Sequence, residues 1–422
     1  MKLAIVGGGW AGLAAAVRAV QAGHAVVLIE MAAQLGGRAR GVDVAGLALD
    51  NGQHILIGAY RRTLDLMRTV GVDGAVVFDR RPLELRYPDG RGLSMPPGPA
   101  WLGFGLAVAT CEGWTWRDRA ALLKAAAGWA LAGFRCAPAL SVAELCKDLP
   151  PAVRELLIDP LCVAALNTPA ADASAAVLLR VLRDALFGGA GSADLLLPRR
   201  SLRALLPGPA GAWLQAAGAR LDLGRRVGQL APDGAGWRVD GEPFDSVILA
   251  CTAHEAARLT QDLAPAWSAQ ASALRYEPIV TVYLRAPGAR LPAPMTALIE
   301  GPRAPAQFAF DHGALGATPG LFAFVISGAR RWVDAGLDVT GQAVLQQARD
   351  DFAPAAWPSA PTLVKVLAEK RATFRCTPGL ARPAAAIAPQ LVAAGDYLEG
   401  PYPATLEGAV QSGENALRLL LG

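Results

Sequence analysis

Residues 3–6 (Leu-Ala-Ile-Val) run straight into Gly7-x-Gly9-x-x-Gly12, and the glycines lead into the small-residue run AGLAAAVRAVQA at 11–22. No other feature limits the fold as tightly. Apolar residues without alternation read as a strand buried on both faces. The small-residue run reads as a helix lying close against a sheet, stopped by Gly23. Residues 25–30 (AVVLIE) then read as a second buried strand, ending in the acid Glu30. The three pieces make one βαβ unit with a dinucleotide fingerprint at its first turn. Gly7 allows the tight turn, Gly9 lets the backbone approach a diphosphate, and Gly12 lets helix and strand pack closely. Trp10 and Ala11 fall at the helix mouth, where the dipole favours an anion. Glu30 is placed to accept hydrogen bonds from ribose hydroxyls.

Three further motifs extend this site. Gly36-Gly37-Arg38-Ala39-Arg40 follows Glu30 closely. Its glycines free the backbone, and Arg38 is expected to pair with phosphate oxygens. A plain nicotinamide-binding domain has a second helix at this place. Near the other end of the chain, Gly395-Asp396 closes a strand over 391–394, and Ala404-Thr405-Leu406 opens a helix over about 406–420. Asp396 suits ribityl hydroxyls. The helix mouth suits the N1/O2 edge of a flavin, which carries negative charge once reduced. The fourth motif, Asp50-Asn51-Gly52-Gln53-His54, is polar and expected beside the ring, with Gln53 and His54 reaching substrate. A lone histidine is more often structural than catalytic, so His54 carries both readings. The cofactor expected from these motifs is FAD, with no sign of covalent attachment.

Composition narrows the class. The chain has 422 residues, 53% hydrophobic and 18% charged, with a net charge of +4. Two domains and a large core are expected. No basic run interleaved with aromatics points to nucleic acid. Six cysteines without CxxC pairing argue against structural zinc and a disulfide framework, and fit a reducing compartment. No metal-ligand spacing and no GxSxG motif stand out. The start reads as a buried strand, not a signal peptide, so a cytoplasmic location is expected. No apolar run reaches spanning length.

The order of elements implies a cofactor domain cut into pieces, at 1–85, 206–273 and 373–422, with a second domain at 86–205 and 274–372. The first insert reads as mostly helical. The second mixes strands at 279–284 and 321–326 with a helix near 339–352. In a second strand-rich stretch, 220–223, 227–230, 237–240 and 244–251 read as strands.

GGGWAGL, GGRAR, DNGQH and GDYLEGPYPATLEGAVQSG resemble the amine oxidase/carotenoid desaturase superfamily of FAD enzymes. DNGQHILIGAYRRTLDLMRTVG, ALNTPAADASAAVLLRVLRDALFGGAGSADLLLPRRSL and AEKRATFRCTPG are similar to the hydroxysqualene dehydroxylases, the squalene-associated flavoenzymes of bacterial hopanoid synthesis. The resemblance implies an α/β fold: a glutathione-reductase-like FAD-binding (Rossmann-type) domain with an inserted α+β substrate domain. It implies reductive dehydroxylation of an allylic C30 alcohol to squalene. It also places the backbone of Val227 against the adenine. Isoprenoid desaturation, amine oxidation and a non-catalytic lipid carrier stand as the competing readings.

Hydroxide leaves poorly, so an acid is needed beside the alcohol oxygen. The candidates are His54, Tyr60 and Asp184, with Asn167 and Thr168 orienting the hydroxyl. Lys370 and Arg371 read equally as ring neighbours or as caps of a sheet edge. A cationic intermediate requires an apolar, aromatic-lined tunnel. A long-chain isoprenoid is nearly insoluble, which calls for peripheral contact with the inner membrane. Residues 99–135, with Trp101, Trp114, Trp116 and Trp129 among Arg117, Arg119, Lys124 and Arg135, read as either that contact or a helical lid.

Overall fold

The computed structural model describes residues 1–44 and 46–422. The chain opens with β1 (Lys2–Val6), α1 (Trp10–Gln21) and β2 (Ala25–Glu30). β1 and β2 pair in parallel, from Lys2 opposite Ala25 to Val6 opposite Ile29. Helix α2 (Arg61–Thr69) follows on the same side of the molecule as α1. The chain then leaves for a helical block containing α3 (Ala100–Ala109), α4 (Trp116–Leu131), α5 (Asp159–Leu166) and α6 (Ala175–Phe187). It returns with β3 (Arg220–Leu223) and β4 (Ser246–Leu249), both parallel to their partners in the first sheet.

A second excursion lays down β5 (Tyr276–Arg285), β6 (Met295–Ala297), β7 (Phe308–Asp311), β8 (Leu321–Ile326), helix α7 (Leu337–Asp351) and the long β9 (Thr362–Phe374). These strands form an antiparallel sheet of order β6-β7-β8-β5-β9. The chain ends with β10 (Ala386–Ala388), β11 (Leu391–Ala393) and α8 (Leu406–Leu421). The first sheet therefore has the order β3-β2-β1-β4-β11-β10, assembled from stretches far apart in sequence.

Two differences from the sequence reading have plain causes. Val227 lies outside any strand, because the strand begins at Leu230 and pairs as a hairpin with Gly236–Val239. The strand Leu195–Pro198 pairs with Leu56–Ile57 and Phe78–Arg81. Leu196 and Leu202 pack in one cluster with Leu13 and Ala16 of α1. Leu196, Leu202 and Leu205, just before 206, therefore pack into the first core, while Leu195 and Leu197 face the other one.

Candidate active site

The first turn behaves as its glycines require. Gly7 has φ of +116°, and a Cβ there would lie 2.5 Å from the Ala250 carbonyl oxygen. At Gly12 a Cβ would stand 1.9 Å from the Gly7 carbonyl oxygen, so only glycine lets α1 sit on β1. Gly9 is different. The nearest atom to a Cβ there is Gly37 Cα at 3.8 Å. Gly9 needs no side chain for packing, and it lines an open cradle at the α1 N-terminus together with Gly36 and Gly37. Gly9 is the N-cap and supplies no side-chain acceptor to the first turn. Glu30 is buried, and its carboxylate accepts from the Gly8 and Ala32 amides at 2.6 and 2.8 Å. Each oxygen keeps lone-pair capacity for a further donor. A backbone cradle beside an anchored acid fits a dinucleotide.

The cradle opens into a cavity of about 570 Å³ whose walls come from the parallel sheet, the antiparallel sheet and the helical block. The first sheet and the turns and helix mouth beside it contribute Gly7, Glu30, Val227, Gly395, Asp396 and Ala404 to Leu406. Ile55, Ile57, Val163, Ala165, Val181, Ile279 and Leu367 form an aliphatic wall. The expected aromatic lining is therefore mostly aliphatic, because the wall is built by α5, α6, β5 and β9. The cavity's rings are chiefly those of Trp10, His54, Tyr60, Tyr397 and Tyr402.

Arg38 departs from the expected phosphate contact. Its Nη2 donates to both oxygens of Asp396, at 2.6 and 2.7 Å, and Nη1 donates to the Ala372 carbonyl at 2.6 Å. The Asp396 carboxylate is nearly enclosed, and a buried carboxylate needs a cation. Arg40 also lines the cavity. Its Nη1 donates to the Gly37 carbonyl, and among the described residues it has no carboxylate partner. Both arginines of the motif thus line the cavity, and Arg40 is the one without a carboxylate partner among the described residues.

Gln53, His54 and Asn51 all line the cavity, whereas the Asp50 carboxylate accepts from the Leu202 amide at 2.9 Å. Asn51 Nδ2 donates to the Arg38 carbonyl and to Glu369. His54 Nδ1 lies 3.1 Å from the Gly52 carbonyl oxygen. A carbonyl can only accept, so Nδ1 carries the proton and Nε2 is an acceptor. Burial pushes the imidazole below its ordinary pKa, and Arg38 pushes the same way. A neutral His54 with a bare Nε2 is unsuited to the proton-donor role expected of it.

Tyr60 precedes α2 and lines the cavity. Burial, with Glu407 nearby, pushes its phenol further above the usual range, so it stays a neutral donor. Asp184 also lines the cavity, but it is bound by Arg180 Nε at 2.9 Å and by the Tyr402 hydroxyl at 2.5 Å. Arg180 and Tyr402 thus hold its carboxylate in place at the cavity wall. Asn167 has a left-handed φ of 48°, and its side chain bonds Glu277 O, Thr373 Oγ1 and the Gly328 amide. Thr168 is wholly buried, donating to Leu166 O and accepting from the Cys376 amide. Asn167 ties β5, β9 and the turn after β8 together while lining the cavity, and Thr168 ties the end of α5 to the segment after β9. Lys370 and Arg371 are exposed, while the neighbouring Glu369 lines the cavity.

Sequence reasoning missed the tyrosines Tyr397 and Tyr402 and the wall residues Val163, Val181, Ile279 and Leu367. The tyrosines sit inside the quoted GDYLEGPYPAT segment, but nothing in that string shows which way a side chain points. The wall residues look like ordinary core positions. Among the described residues, no cluster of His, Cys, Asp or Glu is placed to hold a metal ion, and no helix is long and apolar enough to cross a membrane.

Hydroxysqualene dehydroxylase of Rhodopseudomonas palustris is 29% identical, covering 99% of this chain and 97% of that protein. Its namesake from Sinorhizobium fredii is 27% identical with the same coverage. Zeta-carotene desaturase of Synechocystis is 43% identical, but over 72 residues, or 17% of this chain and 15% of that protein. Among solved structures, an oxidoreductase from Methanosarcina mazei superimposes with a TM-score of 0.73 at 15% identity, covering 99% of this chain and all of the other. That likeness shows a shared fold over nearly the whole chain. The family model described as "Flavin containing amine oxidoreductase" matches residues 10–421. With that match spanning nearly the whole chain and a dinucleotide cradle at its first turn, the chain belongs to the flavin-containing amine oxidoreductases and is an FAD-dependent oxidoreductase.

Proposed function

We propose that this enzyme reduces hydroxysqualene, an allylic C30 alcohol, to squalene and water. The observation that carries the reading is the wall of Ile55, Ile57, Val163, Val181, Ile279 and Leu367, which meets the neutral His54 and Tyr60 in one cavity. An apolar chain with a single hydroxyl suits a site of that composition. The hydroxysqualene dehydroxylases align over nearly the full chain, whereas the desaturase likeness spans only 72 residues. That contrast favours the dehydroxylase over the desaturase reading.

FAD would lie non-covalently against Gly7, Gly9, Trp10, Ala11 and Gly12. Glu30 would hold ribose hydroxyls, Gly36, Gly37 and Arg40 the diphosphate, Val227 the adenine, and Gly395, Asp396 and Ala404 to Leu406 the ribityl chain and ring edge. When bound and reduced, FAD supplies the hydride that replaces the hydroxyl. The chain itself must orient the alcohol and deliver one proton. His54 Nε2 accepts a hydrogen bond from the substrate O–H, and the Tyr60 hydroxyl donates to the same oxygen as it leaves as water. The aliphatic wall excludes bulk water from the carbon that loses the hydroxyl. The cofactor domain in this reading comprises 1–85, about 195–273 and 373–422, and the substrate domain the remainder.

The test is anaerobic incubation of reduced holoprotein with hydroxysqualene, the product being identified by mass spectrometry. Squalene is the expected product. Unchanged alcohol, together with formation of a more unsaturated hydrocarbon from squalene by the oxidised protein, would transfer the assignment to desaturation.

A further inference from the structure

Helix α4 is sixteen residues long, yet Leu122 is its one buried side chain. Its exposed face is not polar. Trp116, Ala120, Leu123, Ala127 and Leu131 follow one another at helical spacing on a single stripe, and Leu131 is 91% exposed. An apolar stripe with so little beneath it gains nothing from intramolecular burial. Helix α3 adds Trp101, Leu102 and Leu106, also exposed, and packs against α4 and α6. At the end of α6, Phe187 is exposed and packs at a tilt against Phe134 just after α4, with ring centroids 5.4 Å apart. Seven of the sixteen large apolar side chains exposed among the described residues lie on these three helices. Scattered exposed leucines need no explanation; a concentration of this kind does.

Two observations choose the occupant. Exposed Arg117 and Lys124 flank the stripe seven residues apart, and Arg135 follows its end. Residues 125–134 (AAAGWALAGF) carry no charge at all. Tryptophans with a cationic border and an uncharged centre match an anionic bilayer surface better than a second basic copy of this chain. The patch is also continuous with the site. Val181 and Asp184 of α6 line the cavity, and Phe187 lies one helical turn further on.

We infer that α3, α4 and the end of α6 form a platform that docks on an anionic lipid surface and puts the substrate cavity beside the bilayer. The role in substrate delivery rests on the isoprenoid reading above; docking itself does not.

The experiment uses holoprotein in flotation with vesicles of phosphatidylethanolamine and phosphatidylglycerol, and with phosphatidylcholine alone as the neutral control. Protein is expected to float with the anionic vesicles and to be released by high salt. Leu131→Glu combined with Trp116→Ser is expected to lower the bound fraction at least about tenfold, with the flavin spectrum unchanged. Wild type staying soluble with every vesicle overturns the proposal. So does a double variant that floats like wild type, or wild-type protein that dimerises through this patch and becomes monomeric in the variant. Turnover of hydroxysqualene in detergent micelles separates the two ideas. If both hold, the variant keeps micellar turnover and loses turnover of vesicle-borne alcohol. If the substrate is misassigned, neither protein turns the alcohol over, yet flotation is unaltered.

Discussion

Asp50 stands in a polar motif beside the cavity, and its own polar groups serve the fold. It opens the DNGQH string, but its carboxyl turns to the Leu202 amide and its own carbonyl accepts from the Tyr283 hydroxyl at 2.9 Å. Burial raises its pKa to about 7. Between the ordinary carboxyl value and about 7, the native state keeps a proton that the unfolded chain has released. Stability therefore falls as pH rises through that window. Buried His312, edge-on to Tyr283 and lowered to about 4, works in the opposite direction. The difference between wild type and Asp50→Asn isolates the first effect. Urea midpoints at pH 4.5 and 7 should show the variant gaining, relative to wild type, on the order of a few kcal/mol at the higher pH. At the active centre, Tyr60→Phe should lower kcat about a hundredfold or more with flavin occupancy unchanged, as loss of a proton donor requires. Stopped-flow reoxidation of the reduced enzyme by the alcohol reads that number. Wild-type rates would remove Tyr60 from the proton path.

Between elements, the decisive contact is α1 against α8. A Cβ at Gly413 would stand 2.1 Å from the Ala11 carbonyl oxygen, so the two helices touch backbone to backbone. Arg18 of α1 reaches Glu414 of α8 at 2.8 Å and Asp65 of α2 at 2.6 Å. Glu407, in the first turn of α8, is buried and accepts from the Arg62 and Thr63 amides and the Thr63 hydroxyl. It caps α2, whose own N-cap, Tyr60, makes no capping bond. The last helix thus fixes both the mouth of α1 and the start of α2. Gly413→Ala should cost about 1–3 kcal/mol and weaken FAD binding, since α1 must shift. Thermal unfolding and flavin fluorescence titration measure the two effects. Glu407→Ala should cost about 1–3 kcal/mol through orphaned amides at α2, with the largest gain in hydrogen exchange at Arg62 and Thr63.

Across the molecule, β1, β2, β3, β4 and β11 share one parallel sheet although their residues run from Lys2 to Ala393. The cavity touches both the first and last stretches of that sheet, so a bound dinucleotide bridges them. Removing FAD should cost about 2.7 kcal/mol relative to protein with a hundredfold excess of cofactor over Kd. Hydrogen exchange should quicken in α1 and α8 together. Fast exchange confined to one of them would contradict the bridge.

The residues of GxGxxG, Glu30 and the C-terminal Gly-Asp segment fixed the cofactor class by themselves, because a backbone cradle needs missing side chains at set spacing. The βαβ unit and the last helix were legible for the same local reason. Which arginine faces a phosphate was not legible. Arg38 and Arg40 are two residues apart, and only the enclosed Asp396, 358 residues away from Arg38 in sequence, decides that Arg38 is taken. The same holds for Asn167 and Thr168, which looked available in a turn until β5, β9 and the segment after β9 closed over them. Local chemistry names the groups a site can use. Long-range packing spends some of them on neighbours and leaves the rest to the ligand, and that division exists only once the separated strands have met.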